Sequence, residues 1–343
     1  MKATIKDVAD LAGVSFKTVS RVINKEGTVK GQTLEKVEAA IAQLNYQPNH
    51  AARNLATTRS YAIGYIYDNP NAYYVIDMQN GILEACRRQG YELIIHPCQA
   101  DKPNIVDEIK NMIERSQLAG LVISPPLSEM PSVLSALEEM KLNFVRIISG
   151  SDESGQTSPC VFIHDCEAAK AITEHMVTQG HQRIAFISGD EEHHSTAERY
   201  KGYIQALEEH DIDLVPDYVF KGHYTFESGI EGAKQLLALP QPPTAIFCCN
   251  DEIAAGALFA ARLMGLDVPE QLAIAGFEDS PFSRQTWPKL TTAAQPTGEI
   301  AGKAASALIN HIIASRSQKG NKFTIQHQHF VPKLVERESS KSK

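Results

Sequence analysis

Residues 4–24 read TIKDVADLAGVSFKTVSRVIN, and this stretch decides how the rest of the chain is understood. Thr4 and Asp7 have the spacing of a capping box, in which the hydroxyl caps backbone N–H groups and the acid reaches back. Ile5, Val8, Ala9 and Ala12 recur at helical spacing, which gives a first helix one apolar face. Gly13 permits the left-handed backbone of a tight turn. Ser15 is placed to cap a second helix, Phe16 to about Asn24, in which Val19, Val22 and Ile23 interleave with Lys17, Thr18, Ser20 and Arg21. An apolar stripe on a small core, with a basic and hydroxyl-rich face outward, suits a helix that enters the DNA major groove.

Charge is distributed to match. The first 59 residues carry nine Lys/Arg against five Asp/Glu, a net of +4, whereas the remainder is −12 within a total of −8. The asymmetry points to one nucleic-acid-facing module on an acidic body. With 343 residues there is room for two or three domains and a well-buried core. The N-terminus shows no basic-then-apolar signal segment, and no run approaches the roughly 20 apolar residues that span a bilayer. A cytoplasmic protein with no membrane partner is expected. Six cysteines (Cys86, Cys98, Cys160, Cys166, Cys248, Cys249) form no CxxC pair and no zinc-like spacing, so they are expected to be reduced packing residues. No metal and no cofactor is expected. GxSxG, P-loop, HExxH and GxGxxG motifs are all absent, which argues against an enzyme.

Beyond Pro48 the pattern changes. HAARNLATT (50–58) is a short, Ala-rich helical stretch, too short to be stable alone in water. From residue 61 short apolar strands alternate with amphipathic helices. Strands are expected at 62–67, 91–97, 120–124, 144–148, 160–164, 184–188, 218–220, 245–249 and 272–277. Helices are expected at 76–88, 105–115, 133–140, 167–179, 197–210, 228–239, 252–264 and 298–314, with a closing strand region at 323–335. This alternation predicts a parallel α/β architecture in two lobes, with ligands at the carboxyl ends of the strands in the cleft between them.

The series TIKDVADLAGVSFKTVSRVIN, VEAAIAQLNYQPNHAARNL, QGHQRIAFISG, PPTAIFCCNDEIAAGAL and IAGFEDSPFSRQTWPKLTTAAQP runs along essentially the whole chain. In that order it resembles the lactose-repressor/galactose-repressor (LacI/GalR) family of transcriptional regulators. The resemblance implies a helix-turn-helix headpiece (1–48), a hinge helix and linker (49–60) and a two-lobed, periplasmic-binding-protein-like effector domain (61–338). It also implies discontinuous lobes, one of about 61–160 and 291–320, the other of about 161–290 and 321–338.

By the same resemblance Phe16, Lys17 and Arg21 occupy base-reading positions. Arg21 can bond bidentately to guanine O6/N7, Lys17 can donate to guanine or phosphate, and Phe16 can pack on a thymine methyl. Thr4, Ser15, Thr18 and Asn24 are candidate phosphate contacts, although helix capping explains the first two equally well. Leu55 matches a leucine wedge that enters the minor groove and bends the duplex, with Asn49, Ala52 and Arg53 lining the groove or its phosphates. Each headpiece covers half a site, so a homodimer on a pseudo-palindromic operator is expected. The terminal ERESSKSK lacks the apolar heptads of a tetramerising tail.

For the effector cleft, Asp68, Tyr73 and Tyr74 follow the first strand and Tyr224 follows a strand of the other lobe. Their rings could sandwich a sugar or a base. By family position Ser195 and Arg199 point into the cleft beside His193. Asn250 and Asp251, and Glu278 after them, close two strands and suit ligand hydroxyls. Trp287 is either a stacking surface or a loop anchor, and His164–Asp165 suggests lobe-interface chemistry. The expected effector is a small sugar, with a nucleobase or another small metabolite, acting even as corepressor, as the alternative.

Overall fold

The computed structural model describes residues 3–23, 29, 31–46, 60–150, 156–316 and 326–341. The chain forms two compact units, Met1–Tyr61 and Ala62–Lys343. In the first, α1 (Ile5–Ala12), α2 (Phe16–Ile23) and α3 (Gln32–Gln43) surround a core of Val8, Ala9, Ala12, Val19, Val37 and Ala40. The capping box is formed. The Asp7 N–H donates to Thr4 Oγ1 at 3.4 Å, and the Thr4 N–H donates to Asp7 Oδ2 at 2.7 Å. The Thr4 N–H and the Thr4 hydroxyl, both donating to Asp7 Oδ2, hold the Asp7 carboxyl below its ordinary pKa. Gly13 ends α1 with φ 64°, a conformation that L side chains rarely adopt. Ser15 Oγ then accepts the Thr18 N–H at 3.2 Å and starts α2.

The larger unit carries β1 (Ala62–Tyr67), β2 (Glu92–Pro97), β3 (Gly120–Ile123), β4 (Asn143–Ser149), β5 (Cys160–Ile163), β6 (Ile184–Ile187), β7 (Val219–Phe220), β8 (Ala245–Cys248), β9 (Ala273–Ala275), β10 (Thr292–Ala294), β11 (Gln328–Phe330) and β12 (Lys333–Val335). Its helices are α4 (Ala72–Gln89), α5 (Ile105–Ser116), α6 (Pro131–Glu139), α7 (Asp165–Thr178), α8 (His194–Glu209), α9 (Phe226–Leu237), α10 (Asp251–Leu263), α11 (Pro281–Gln285) and α12 (Thr297–Arg316). One parallel sheet has the order β11-β5-β4-β3-β1-β2 and a second the order β7-β6-β8-β9. The central strands are buried along their length, as expected for parallel strands with helices on both faces.

Several helices begin one to four residues earlier than their apolar periodicity suggests. Asn71 Oδ1 accepts the N–H groups of Tyr73 and Tyr74 at 3.1 and 3.2 Å, so α4 starts at Ala72. Thr225 and Asn250 cap α9 and α10 in the same way. Apolar periodicity marks the first buried residue, whereas the cap marks the first helical one. Tyr73 and Tyr74 consequently lie in the first turn of a helix.

The chain crosses between the lobes three times, after β5, between β10 and α12, and between β11 and β12. Two of the expected lobe limits are corrected here. Thr292–Ala294 pairs antiparallel with Lys333–Val335, and bridges tie Thr291 to Ala275 and Ala294 to Glu278, so 291–294 belongs with the second lobe. Gln328–Phe330 pairs with Val161–Ile163 at the edge of the first sheet, so the second lobe resumes only near 331 rather than at 321. Periodicity identifies a strand but not which sheet edge accepts it. Among the described residues no helix is long and apolar enough to cross a membrane.

Candidate functional site

The headpiece presents its outer face as expected. Lys17 and Arg21 are exposed on α2, and Phe16 is 51 % exposed beside them, while Val19 is fully buried. Thr4 and Ser15 spend their hydroxyls on the two helix caps, and Thr18 Oγ1 lies 2.9 Å from Ser15 Oγ. Asn24, Asn49, Ala52, Arg53 and Leu55 lie outside the described residues.

In the body, the ends of eight strands and one crossing segment converge on a cavity of about 50 Å³, with Pro125 after β3 among its lining. Its wall takes Asn69, Asn71 and Tyr74 after β1, Ser149 at the end of β4 and Asp165 after β5. It also takes His193, Ser195 and Arg199 after β6, Tyr224 after β7, Asn250 after β8, Glu278 after β9 and Gln295 at the second crossing. Of the expected effector residues, Tyr74, His193, Ser195, Arg199, Tyr224, Asn250 and Glu278 are thus brought together.

A polar chain runs through this wall. The Ser149 hydroxyl donates to Asp165 Oδ2 at 2.6 Å, and Arg199 Nε donates to Asp165 Oδ1 at 2.8 Å. Arg199 also donates to the Cys249 carbonyl at 2.7 Å, and its guanidinium sits 3.8 Å from the Phe277 ring centroid. It reaches Glu278 Oε1 at 3.9 Å, and Glu278 Oε2 accepts from Asn71 Nδ2 at 2.8 Å. Both ends of the chain, Ser149 and Asn71, stand on the first lobe, and its middle stands on the second. Glu278 and Asp279 are held at φ 102° and 56°, a turn that aims the Glu278 carboxyl back into the wall.

Burial pushes Glu278 up to about 7, with Arg199 opposing and Asp165 reinforcing the shift. Burial opposes the charge on Arg199, but Asp165 and other anionic neighbours outweigh it and raise the pKa. Burial lowers His193, so its ring is neutral at pH 7, and raises the Tyr74 and Tyr224 hydroxyls. The Tyr224 hydroxyl lies 2.9 Å from Thr196 Oγ1 and 3.3 Å from Ser195 Oγ. Its ring meets His193 edge-on and lies against Gly189, where a Cβ would collide with it. Two buried polar atoms in the wall have no hydrogen-bond partner among the described residues, Asn250 Nδ2 and Gln295 Oε1. The Asn250 orientation is set by its cap, in which Oδ1 accepts the Ile253 N–H at 2.9 Å.

Four expected residues fall elsewhere. Asp251 is fully buried, with its oxygens taken by the Thr292 hydroxyl at 2.6 Å and the Ser280 N–H at 2.7 Å. It locks the β8 and β9 ends together and lines none of these cavities. Burial pushes it up to about 8. Trp287 is 71 % exposed and lines none of them either. Asp68 lines a wider outer pocket of about 630 Å³ with His193, His194 and Glu129, and accepts the Ala100 N–H at 2.7 Å. Tyr73 packs edge-on against Phe282 and faces a third pocket of about 670 Å³. The sequence reading missed Asn71, Ser149 and Gln295. Asn71 ahead of AYYV had a capping signal, whereas the other two are single polar residues with no pattern around them. His193 and His194 diverge, the first toward Tyr224 and the second toward Glu129 Oε1 at 3.9 Å, so they form no joint ligand set.

Residues 4–49 match the family model described as "Bacterial regulatory proteins, lacI family", and residues 173–340 match "Periplasmic binding protein-like domain". The chain is 34 % identical over 344 residues to the HTH-type transcriptional repressor PurR of Pasteurella multocida (strain Pm70), covering 99 % of each. The chain belongs to the LacI family. A second LacI-family relative, the probable HTH-type transcriptional repressor ExuR of Bacillus subtilis (strain 168), is 32 % identical over 97 % of this chain and 98 % of its own. The lac repressor dimer bound to operator and the anti-inducer ONPF superposes with TM-score 0.76 at 26 % identity and full coverage of both chains. CcpA of Lactococcus lactis gives 0.71 at 25 % identity over 82 % of this chain and 100 % of that one. This LacI-family protein is accordingly a DNA-binding transcriptional repressor and not an enzyme.

Proposed function

We propose that this repressor binds a pseudo-palindromic operator as a homodimer and is controlled by an uncharged, single-ring sugar bound between the lobes of its body. On the DNA side Lys17 and Arg21 read the major groove, Phe16 adds an apolar contact, and Leu55 is the minor-groove wedge. The observation that carries the effector reading is the polar wall from Ser149 to Asn71, beside which Asn250 Nδ2 and Gln295 Oε1 have no partner among the described residues. A buried donor or acceptor left unmet costs about 1–3 kcal/mol, so such a pair is best explained by a ligand that supplies its complement.

Charge favours a neutral ligand. Arg199 is already neutralised by Asp165, and Asp68, Asp190 and Glu192 surround the outer opening with no Lys or Arg lining it among the described residues. A carboxylate-bearing sugar would meet net negative charge there. The 50 Å³ cavity is far smaller than the roughly 300–1,000 Å³ of a typical ligand pocket, so entry requires the lobes to separate. The ligand then replaces or supplements the Asn71–Glu278 bond, which changes the lobe angle and with it the spacing of the two DNA-reading modules. That coupling is reciprocal between effector and operator.

A nucleobase is the second reading. One unpaired donor and one unpaired acceptor, with the flat faces of Tyr74 and Tyr224 nearby, also suit the amide edge of a planar base. Thermal-shift screening of neutral monosaccharides, uronic acids and nucleobases separates the classes, because a ligand selective for the native state raises Tm. A neutral monosaccharide should raise Tm in the full chain and lose that effect in Glu278→Ala. Stabilisation confined to a uronate or a nucleobase would reject the sugar reading.

A further inference from the structure

His96, Cys98 and Glu108 each turn one ligand atom toward a common point, with all three atoms within 4.8 Å of one another. Their placement follows from elementary geometry. His96 near the end of β2 and Cys98 just beyond it are two residues apart on an extended chain, which continues beside β1 through the Cys98 N–H bond to the Tyr67 carbonyl at 2.8 Å. They share a face with Ile94, which packs on the first-lobe core. That face meets α5, where Ile105 and Ile109 enter the same core and Glu108, in the first turn, lies at its border. His96 Nε2 lies 3.1 Å from Glu108 Oε1, with the two side chains 30 % and 27 % exposed and Cys98 buried behind them.

We propose that His96, Cys98 and Glu108 form a binding site for a divalent transition-metal ion of zinc type. A tetrahedral zinc with Zn–N, Zn–O and Zn–S bonds of about 2.0–2.3 Å places its ligand atoms roughly 3.4–3.6 Å apart. Contraction of the widest separation, at most 4.8 Å, by up to roughly 1.2–1.4 Å brings this trio to that spacing. Mixed imidazole, thiolate and carboxylate donors suit zinc and its neighbours rather than magnesium or calcium. Three protein donors leave a fourth position for water, and the half-exposed His96 and Glu108 give the ion a path from solvent. On binding, the Cys98 thiol releases its proton to solvent as the sulfur–metal bond forms, and the neutral His96 nitrogen donates its lone pair in place of its contact with Glu108. The ion would tie β2 to α5 across the 99–104 loop. In that loop Ala100 and Asp101 line the outer pocket, and Asp68 holds the Ala100 N–H. The spacing of one residue and then nine between the ligands matches no zinc motif, so only the fold reveals the site.

The test is titration of the metal-free full chain with Co²⁺ followed by absorption, then displacement with Zn²⁺. One equivalent should produce a thiolate-to-cobalt charge-transfer band with tetrahedral ligand-field bands, and Zn²⁺ should abolish both and raise Tm. Cys98→Ser should remove the charge-transfer band, while Cys166→Ser should leave it unchanged. His96→Ala and Glu108→Gln, at half-exposed side chains, carry the test if Cys98→Ser folds poorly. Loss of a ligand should weaken binding at least as much as loss of a ligand's supporting partner, about 10–100-fold. Absence of the thiolate band, its survival in Cys98→Ser, or unchanged affinity in both other variants would overturn the proposal.

Discussion

Asn71 Nδ2 donates to Glu278 Oε2 at 2.8 Å, a bond that, like the one from the Ser149 hydroxyl to Asp165, joins the first lobe directly to the second. The same Asn71 side chain caps α4 through its oxygen. One residue therefore both starts a helix and latches the cleft. Asn71→Ala removes both roles and should cost more than the roughly 1 kcal/mol of a lost cap, because Glu278 also loses its partner. Asn71→Asp keeps the cap but sets a second carboxylate against Glu278. Urea unfolding should show Asn71→Asp close to native at pH 5 and clearly weaker at pH 8, and a pH-independent difference would refute the latch.

Glu278 titrates near 4.5 when unfolded and near 7 in the fold, chiefly because it is buried. Between those values the native state holds a proton that the unfolded chain has released. Stability from this group is therefore full below about pH 4.5 and declines as pH rises to about 7. Glu278→Gln should flatten the fall in unfolding free energy across that window. An unchanged slope in denaturant titrations at successive pH values would assign the titration elsewhere.

Arg199 and Asp165 are both nearly excluded from solvent, so removing either leaves an uncompensated charge. Arg199→Ala should lose about 3–5 kcal/mol of unfolding free energy. Arg199→Lys should recover little of it, since an ammonium cannot reach Asp165, the Cys249 carbonyl and the Phe277 ring at once. Calorimetry showing full rescue by lysine would mean that charge alone matters at this position.

Thr4 is a cap before it is anything else. Thr4→Ala should destabilise the headpiece by about 1 kcal/mol. Thr4→Ser, which keeps the oxygen, should restore most of that in thermal melts. If Thr4→Ala melts like the native protein yet binds operator less well, while Thr4→Ser binds normally, the hydroxyl serves phosphate instead.

Arg21 is exposed on the outer face of α2 and lies clear of the headpiece core. Arg21→Ala should cost about 1–3 kcal/mol of discrimination at one guanine position. Lys17→Ala should reduce the salt dependence of binding to the extent that it contacts phosphate. Binding isotherms on single-base operator variants at fixed salt separate the two, and a uniform loss for Arg21→Ala would remove it from base reading.

The helix-turn-helix was legible because its determinants are local. The capping box, the Gly13 turn and an apolar stripe of period 3.6 all act within a few residues of one another. The strand–helix alternation was legible for the same reason, and so were those cleft residues that end a strand or begin a helix, such as Tyr224, Asn250 and Glu278. The exchange of strands between sheets was not, because β11 and β12 are similar short segments whose sheet is chosen by distant edges.

Sequence by itself determined a DNA-reading module, a two-lobed α/β body and a polar cleft at its strand ends. Tertiary structure alone decided how that cleft is wired. Ser149, Asp165, Arg199, Glu278 and Asn71 lie far apart in the chain, yet their side chains form one run of polar contacts across two lobes. Asp251 looked equally suited to a ligand and instead spends both oxygens within the protein. The reason is physical. Residue type states what a group can bond to, but burial and the distance to a partner decide whether that capacity is left for a ligand.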